Sequence, residues 1–182
     1  MYRIPSPSVT ITDFIDLAKK RYSVRKYSGE QVSQEMLDRI IEAGMVAPTA
    51  KNLQPVRIYV IRSAEGLAKV DSLTPCRFGA PVVLLFTMDL EEMWRNPLQE
   101  GISSGQEDAS IVATHMMLEA ADIGLGSLWI NYFANSDAEK AFGIPAGERA
   151  VLLMDIGYAA ADAEPSPNHG MSRPVDEVVR YI

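Results

Sequence analysis

The chain has 182 residues, the length of one ordinary domain. Its hydrophobic fraction of 47% and charged fraction of 23% are typical of a folded protein and argue against disorder. The formal net charge is −7 and no Lys/Arg-rich run is present, so we expect no nucleic-acid partner. No apolar run reaches the ~20 residues of a membrane span, and the single cysteine, Cys76, suits a reducing compartment. These features predict a cytoplasmic protein that contacts no membrane.

The first half of the chain predicts three helices and two strands after an N-terminal arm. Residues 1–11 predict an N-terminal arm, and apolar residues between Thr12 and Lys20 share one helical face. A second helix is predicted from the N-cap Ser33 to the approach of Pro48. The next predicted elements are a strand at 56–61, a helix at 64–73 and a buried strand at 82–88. Residues 89–105, which include Trp94, form a long connection, either a functional cover or an ordinary surface excursion.

The second half is dominated by a helix predicted from Asp108 to Ile123. Its apolar residues cover most of its circumference, which indicates burial on several sides and a contact with a partner subunit. Further predicted elements are strands at 127–131 and 150–158, a helix at 136–142, and a last helix or strand from Pro174. Together these elements predict a single α+β domain over residues 1–182, with a small sheet flanked by helices.

Several common kinds of catalytic site are excluded by the motifs. The sequence has no phosphate-binding P-loop, no HExxH and no GxSxG, and its Cys and His residues lack metal-ligand spacing. Gly124-Leu125-Gly126 follows a helix and precedes a strand, the reverse of the order in a dinucleotide-binding fold. His115 lies among apolar helical residues and is expected to be a hydrogen-bonded interior group. For Cys76 we expect apolar packing.

The segment Arg21-Tyr22-Ser23-Val24-Arg25 is a candidate anion site. In an extended chain Arg21, Ser23 and Arg25 lie on one face, where two guanidinium groups and a hydroxyl suit a phosphate. The alternative is a basic helix end, because Lys19 and Lys20 precede it and cations favour a helix C-terminus.

A second constellation lies between two prolines at 47–55. Asn52 and Gln54 are two residues apart, and their amides offer both donors and acceptors to the edge of a heteroaromatic ring. The alternative is a polar turn in which the amides satisfy their own backbone.

In this order the motifs resemble those of the nitroreductase family of flavoproteins. The resemblance runs from about residue 12 to the C-terminus. It rests on the segments 21–25, 47–55, 107–130, 143–145 and 153–158, followed by Arg173-Pro174. It implies an α+β nitroreductase-like fold with a mostly antiparallel sheet, assembled as an interlocked homodimer with FMN at the subunit interface.

The same resemblance implies the residues that bind FMN. Arg21 and Arg173 would hold the phosphate, Tyr22 and Ser23 would contact the phosphate or ribityl chain, and Arg25 would lie beside the ribityl chain and pyrimidine. The ring would be contacted from the other subunit by Pro48, Thr49, Ala50, Asn52 and Gln54, and backed by Ser127, Leu128 and Trp129. No side chain is expected to be catalytic and no metal is expected, because FMN carries the chemistry.

The activity implied is a ping-pong transfer of hydride from NAD(P)H, through the flavin, to a small electron-poor acceptor such as a nitroaromatic or a quinone. Three alternatives remain at this point. The same FMN site could serve reductive dehalogenation or a dehydrogenation. The protein could be a non-catalytic flavin-binding module, or a structural dimer without a ligand.

Overall fold

The structure, a computed structural model, describes residues 13–182. The predicted arm at 1–11 and Thr12 lie outside the described residues. The helices are α1 (Phe14–Lys20), α2 (Gln34–Met45), α3 (Ala64–Leu73), α4 (Gly105–Asp122), α5 (Asn135–Phe142) and α6 (Val175–Val178). The strands are β1 (Val56–Ile61), β2 (Val82–Asp89), β3 (Gly126–Ile130) and β4 (Glu148–Gly157).

The four strands form one sheet in the order β1-β2-β4-β3, and every neighbouring pair is antiparallel. Strand β4 is central, so Asp155 lies opposite Val83 of β2 and Leu128 of β3. The prediction of an α+β fold with a small antiparallel sheet flanked by helices is confirmed.

Side chains alternate between the two faces of the sheet and build a core on each. On one face α2 and α4 contribute Leu37, Ile40 and Met116 to a core with Leu84 and Met154. The opposite face packs against α3 and α5, through a second buried set that comprises Ile61, Val70, Val83, Leu85, Leu128, Ile130, Ala150 and Leu153.

Helix α2 begins where its sequence signals predicted. The Ser33 side chain accepts a hydrogen bond from the Met36 N–H at 3.3 Å. Val32 and Leu37, on either side of this cap, are both 2% exposed and fix the entry of the helix into the core. Gly44 near its end lets α2 approach α4, because a Cβ there would lie 2.7 Å from the Met116 Sδ.

Helix α4 begins at Gly105, three residues before the predicted start at Asp108. The apolar pattern begins only at Ala109, and glycine is a poor helix former, so the first turn was not visible in the sequence. A Cβ at Gly105 would lie 2.5 Å from the Met88 Sδ, so a larger residue there would require the Met88 side chain to move.

The preceding connection contains a small hairpin. Arg95 pairs with Ser103 in an antiparallel bridge, and the Ser104 N–H donates to the Trp94 carbonyl at 3.0 Å.

Among residues 13–182, none of the helices combines the length and the hydropathy that a membrane span requires. Nor does that part of the chain bring together three His, Cys, Asp or Glu side chains as a metal site.

Candidate functional site

The Arg21–Arg25 segment runs extended from the end of α1 along the edge of β3. Arg21 is the C-cap of α1, with Lys19 and Lys20 in the last turn, so the basic helix end of the sequence analysis is present. Ser23 then forms a parallel bridge with Ser127, and the Val24 N–H donates to the Ser127 carbonyl at 3.0 Å.

Gly126 is the residue that permits this close approach. A Cβ on Gly126 would lie 2.5 Å from Cγ2 of Val24, which is only 1% exposed. The glycine at the start of β3 therefore lets the 21–24 segment pack directly on the sheet edge.

A pocket of about 240 Å³ opens between the end of α1, this segment and the α4–β3 turn. It is lined by Lys20, Arg21, Tyr22, Val24, Ala121, Gly124, Leu125, Gly126, Ser127 and Ala159. Two cations and no acid are among these described lining residues, so the pocket favours an anion. Gly124 has φ 85°, a left-handed conformation that glycine adopts without strain.

Part of this pocket was not predicted from the sequence. Lys20 was interpreted only as support for a helix end, and Gly124 to Gly126 as a turn that fits no dinucleotide motif. The signal available was the glycine pair itself, which marks a close backbone approach.

Not all of the predicted anion group lines the pocket. Arg21 and Tyr22 do, whereas Ser23 is engaged with Ser127 through its backbone. Arg25 is exposed, and its Nη1 donates to the Ser23 carbonyl at 3.2 Å.

The C-terminal region approaches the same helix end. The His169 Nε2 lies 3.0 Å from the Lys19 carbonyl oxygen, and the His169 ring packs edge-on against Tyr22 at 6.1 Å between centroids. Arg173 follows four residues later, is exposed, and lies 3.5 Å from the Glu177 carboxylate. His169, which the sequence analysis did not single out, thus fixes the chain close to Arg21.

The 48–54 loop has an unusual backbone. Three of its non-glycine residues have a positive φ: Lys51 at 52°, Asn52 at 55° and Gln54 at 53°. Asn52 and Gln54 are exposed, and the Gln54 Nε2 donates to the Asn52 Oδ1 at 3.1 Å. Two polar amides are therefore presented together at the surface.

Two side-chain acceptors hold the loop in place. The Thr49 Oγ1 accepts the Gln54 N–H at 3.0 Å, and the Asp108 Oδ1 on α4 accepts the Ala50 N–H at 2.8 Å. Asp108 was not among the predicted site residues. Pro48 is exposed, directly before this held segment.

Strand β3 divides its side chains between the two faces of the sheet. Ser127 and Leu128 are buried, but the Leu128 side chain belongs to the core under α3 and α5. Trp129 is half-buried on the α2 and α4 face, and its Nε1 donates to the Asn131 Oδ1 at 3.2 Å. Of the three, Leu128 can contact a ligand on the Trp129 face only through its backbone.

The two predicted groups lie at opposite ends of α4. The loop is attached at Asp108 in the first turn, whereas the anion pocket is lined by Ala121 in the last turn. At roughly 1.5 Å of rise per residue, these two positions are about 20 Å apart along the helix. One copy of the chain therefore does not bring the groups together.

Strand β4 carries a buried acid outside the pocket. Asp155 is fully buried, and neither of its carboxylate oxygens has a hydrogen-bond partner among residues 13–182. Burial raises the pKa of Asp155 to about 9, although Arg77 opposes the rise. Burial, and then Asp155 itself, likewise raise the pKa of Tyr27 well above its ordinary value.

Fold and site together define a small α+β protein with a cationic pocket at one end of a central helix and an amide-bearing loop at the other. A sequence profile of the nitroreductase family matches residues 18–76 and 74–158. The chain belongs to the nitroreductase family, as the resemblance predicted.

Individual relatives agree with this assignment. A nitroreductase family protein of Clostridium difficile is 33% identical, and its crystal structure matches with a TM-score of 0.87 over 93% of this chain and 98% of the other. The Methanothermobacter thermautotrophicus protein named NADH dehydrogenase/NAD(P)H nitroreductase is 28% identical over 84% of this chain and 80% of the relative. An Exiguobacterium sibiricum protein, crystallised in complex with FMN, shares the fold at a TM-score of 0.80 and 22% identity, over 97% of this chain and 100% of the other.

Proposed function

We propose that the protein is an FMN-dependent oxidoreductase that works as a homodimer. It takes hydride from NAD(P)H and reduces a small electron-poor acceptor, of the nitroaromatic or quinone type, in a ping-pong sequence. The names of the relatives support the nicotinamide donor, and the FMN complex of a protein with the same fold supports the cofactor.

The observation that carries the proposal is the fit of the cationic pocket to a phosphate group. Lys20 and Arg21 supply positive charge, and charged hydrogen-bond donors bind phosphate oxygens strongly. At Gly124 a Cβ would meet nothing within 4 Å, so the turn leaves open space beside the cations. Arg173, which follows the His169 contact by four residues, is proposed to join Arg21 on the phosphate.

The size of the pocket supports a shared site. At about 240 Å³ it is smaller than the roughly 300–1,000 Å³ of pockets that enclose a ligand of drug size. The pocket is therefore suited to the phosphate and ribityl end of FMN, and the ring requires a further wall.

Antiparallel pairing of two α4 helices about a two-fold axis provides that wall, because it brings the N-terminal end of one helix to the C-terminal end of the other. The 48–54 loop of a second copy then lies beside the pocket of the first. Its Pro48, Thr49, Ala50, Asn52 and Gln54 are proposed to contact the ring.

The outer face of α4 has the character that such pairing needs. It carries Ile111, which is 37% exposed, together with Ser110, Thr114 and His115. The Ser110 and Thr114 hydroxyls donate to carbonyls of their own helix at 2.8 and 2.7 Å, and the His115 Nδ1 lies 2.9 Å from the Ile111 carbonyl oxygen. Covering this face therefore leaves few polar groups without a partner.

The remaining predicted residues have supporting roles. Tyr22 and Ser23 would orient the ribityl chain, and Arg25 would place positive charge beside the pyrimidine. Ser127 and Trp129, with the backbone of Leu128, would back the ring. When bound, FMN supplies the hydride and electron transfer, and the protein binds it, orients it and limits access of water.

The test is the visible absorption spectrum of the purified protein reconstituted with FMN, before and after adding NADH or NADPH without oxygen. We expect stoichiometric FMN and bleaching of its absorption by at least one nucleotide. Bound FMN that neither nucleotide reduces would indicate a flavin-binding module, and failure to take up FMN would overturn the proposal.

A further inference from the structure

The backbone of the 48–54 loop adopts φ values that its residues do not prefer. Three of the four non-glycine residues with positive φ in the described chain lie here: Lys51, Asn52 and Gln54. Such conformations are unfavourable for residues other than glycine, and they persist only where the surroundings impose them. The loop therefore needs a restraint, and its conformation decides where the Asn52 and Gln54 amides point.

Asp108 provides a restraint from outside the loop. Its Oδ1 accepts the Ala50 N–H at 2.8 Å, and its Oδ2 accepts the Ser104 hydroxyl at 2.6 Å. The residue is 2% exposed, so both bonds form away from competing water. It also lies in the first turn of α4, where the helix dipole favours a negative charge.

The hydrogen bond from Ala50 to Asp108 lies at the start of the strained part of the loop. Ala50 is the first residue of the short turn that contains Lys51 and Asn52, and the Leu53 N–H donates back to the Ala50 carbonyl at 3.1 Å. Fixing Ala50 to the body of the protein therefore fixes the base from which both amides project.

We propose that Asp108 is a positioning residue that holds the 48–54 loop in the conformation in which Asn52 and Gln54 meet the flavin edge. This inference rests on the proposed function and extends it to a residue that contacts no flavin. Without an oxygen acceptor at position 108, the loop relaxes toward ordinary φ values and the amides are no longer presented together. FMN then binds more weakly, because one wall of its site is no longer held in place.

The experiment compares Asp108→Ala with Asp108→Asn. Asparagine retains an oxygen that can accept from the Ala50 N–H, so we expect its FMN dissociation constant to stay within about threefold of wild type. Alanine removes the acceptor, and we expect a rise of about tenfold or more, which corresponds to one charge-assisted hydrogen bond. Fluorescence quenching of FMN measures both constants.

A second readout separates positioning from general loss of structure. Amide hydrogen exchange of the protein without FMN should show Ala50 and Gln54 losing protection in Asp108→Ala, while Val112 and Met116 in α4 remain protected. Loss of protection along α4 as well would assign Asp108 a structural role and overturn the proposal. So would an unchanged dissociation constant for Asp108→Ala.

Asp108→Ser covers the case in which Asp108→Ala does not fold. Its hydroxyl is one bond too short to reach Ala50 but still suits the first turn of a helix, and the same rise in dissociation constant is expected. If wild type binds FMN and the Asp108→Ala and Asp108→Ser variants bind it equally well, only the positioning role of Asp108 is excluded. Wild type that binds no FMN removes the proposed function and this inference together.

Discussion

Arg21 serves two structural purposes at one position. It ends α1 after two lysines, and it lines the pocket with Lys20. A helix end and an anion site were alternative interpretations of the sequence, yet the two are compatible. An extended residue after a helix C-terminus directs its side chain away from the helix, here toward the turn after α4.

Arg21→Ala tests the anion site. We expect FMN binding to weaken by about 1.5–3 kcal/mol, the usual contribution of a charged hydrogen bond. Titration of FMN fluorescence measures the change. Arg62→Ala is the matched control, since Arg62 is exposed beyond β1 and donates to Gln34. Equal FMN affinity in the two variants would contradict the assignment.

The raised pKa of Asp155 predicts that the free energy of unfolding depends on pH. The folded protein keeps a proton on Asp155 up to about pH 9, whereas the unfolded chain releases it near 3.8. Between those values the unfolding free energy falls as pH rises, by up to about 1.4 kcal/mol per pH unit from this group. In Asp155→Asn the amide stays neutral at every pH, so its stability relative to wild type should increase from pH 5 to pH 8.

Urea unfolding at each pH measures this difference. Asp122→Asn is the control, because Asp122 is exposed and its replacement should leave the pH dependence unchanged. Parallel curves for wild type and Asp155→Asn would show that Asp155 is ionised in the fold.

Among the elements, β1 and α3 have the limits that the sequence predicted. Each has a clear start signal, since Pro55 precedes the strand and the Ser63 side chain caps the helix. The start of α4 was predicted too late, because its first turn contains Gly105, a poor helix former, and no apolar residue.

Replacing Gly126 tests the contact between β3 and the 21–24 segment. Gly126→Ala would place its Cβ 2.5 Å from Cγ2 of buried Val24, with Val24 Cβ only 3.1 Å away. Relief requires the 21–24 segment to move from β3. We expect a loss of stability of about 1–3 kcal/mol, measured by urea unfolding, and weaker FMN binding.

Gly147→Ala is the control for the same chemical change. A Cβ at Gly147 meets nothing within 4 Å, so this variant should keep both the stability and the FMN affinity of wild type. Similar losses in the two alanine variants would exclude the Val24 contact as the cause.

For the whole molecule, the order of motifs in the sequence was sufficient to predict the fold, the Arg21–Arg25 segment and the 48–54 loop. It did not predict the long-range contacts that hold the segment and the loop in place. The Asp108 bond to Ala50 spans 58 residues of sequence, and no local pattern indicates it. The α4–β3 turn meets Arg21 across about a hundred residues in the same way. Contacts of this kind follow from packing, which a periodic pattern does not encode.

Because the cationic pocket and the 48–54 loop lie at opposite ends of α4, FMN binding should depend on dimer formation. Ile111→Glu places a charge on the exposed face of α4 at a position where glutamate suits the helix itself. If two copies pair through this face, the variant should become monomeric and lose FMN binding together, since a buried charge without a partner strongly disfavours association. Analytical ultracentrifugation and FMN titration measure the two effects.

Val60→Glu is the matched control, because Val60 is 38% exposed, against 37% for Ile111, but belongs to β1 and not to α4. It should remain dimeric and bind FMN. A monomeric Ile111→Glu that still binds FMN with wild-type affinity would place the whole flavin site within one copy. The 48–54 loop would then have to reach the pocket along some 20 Å of its own α4, which the anchoring of that loop at Asp108 opposes.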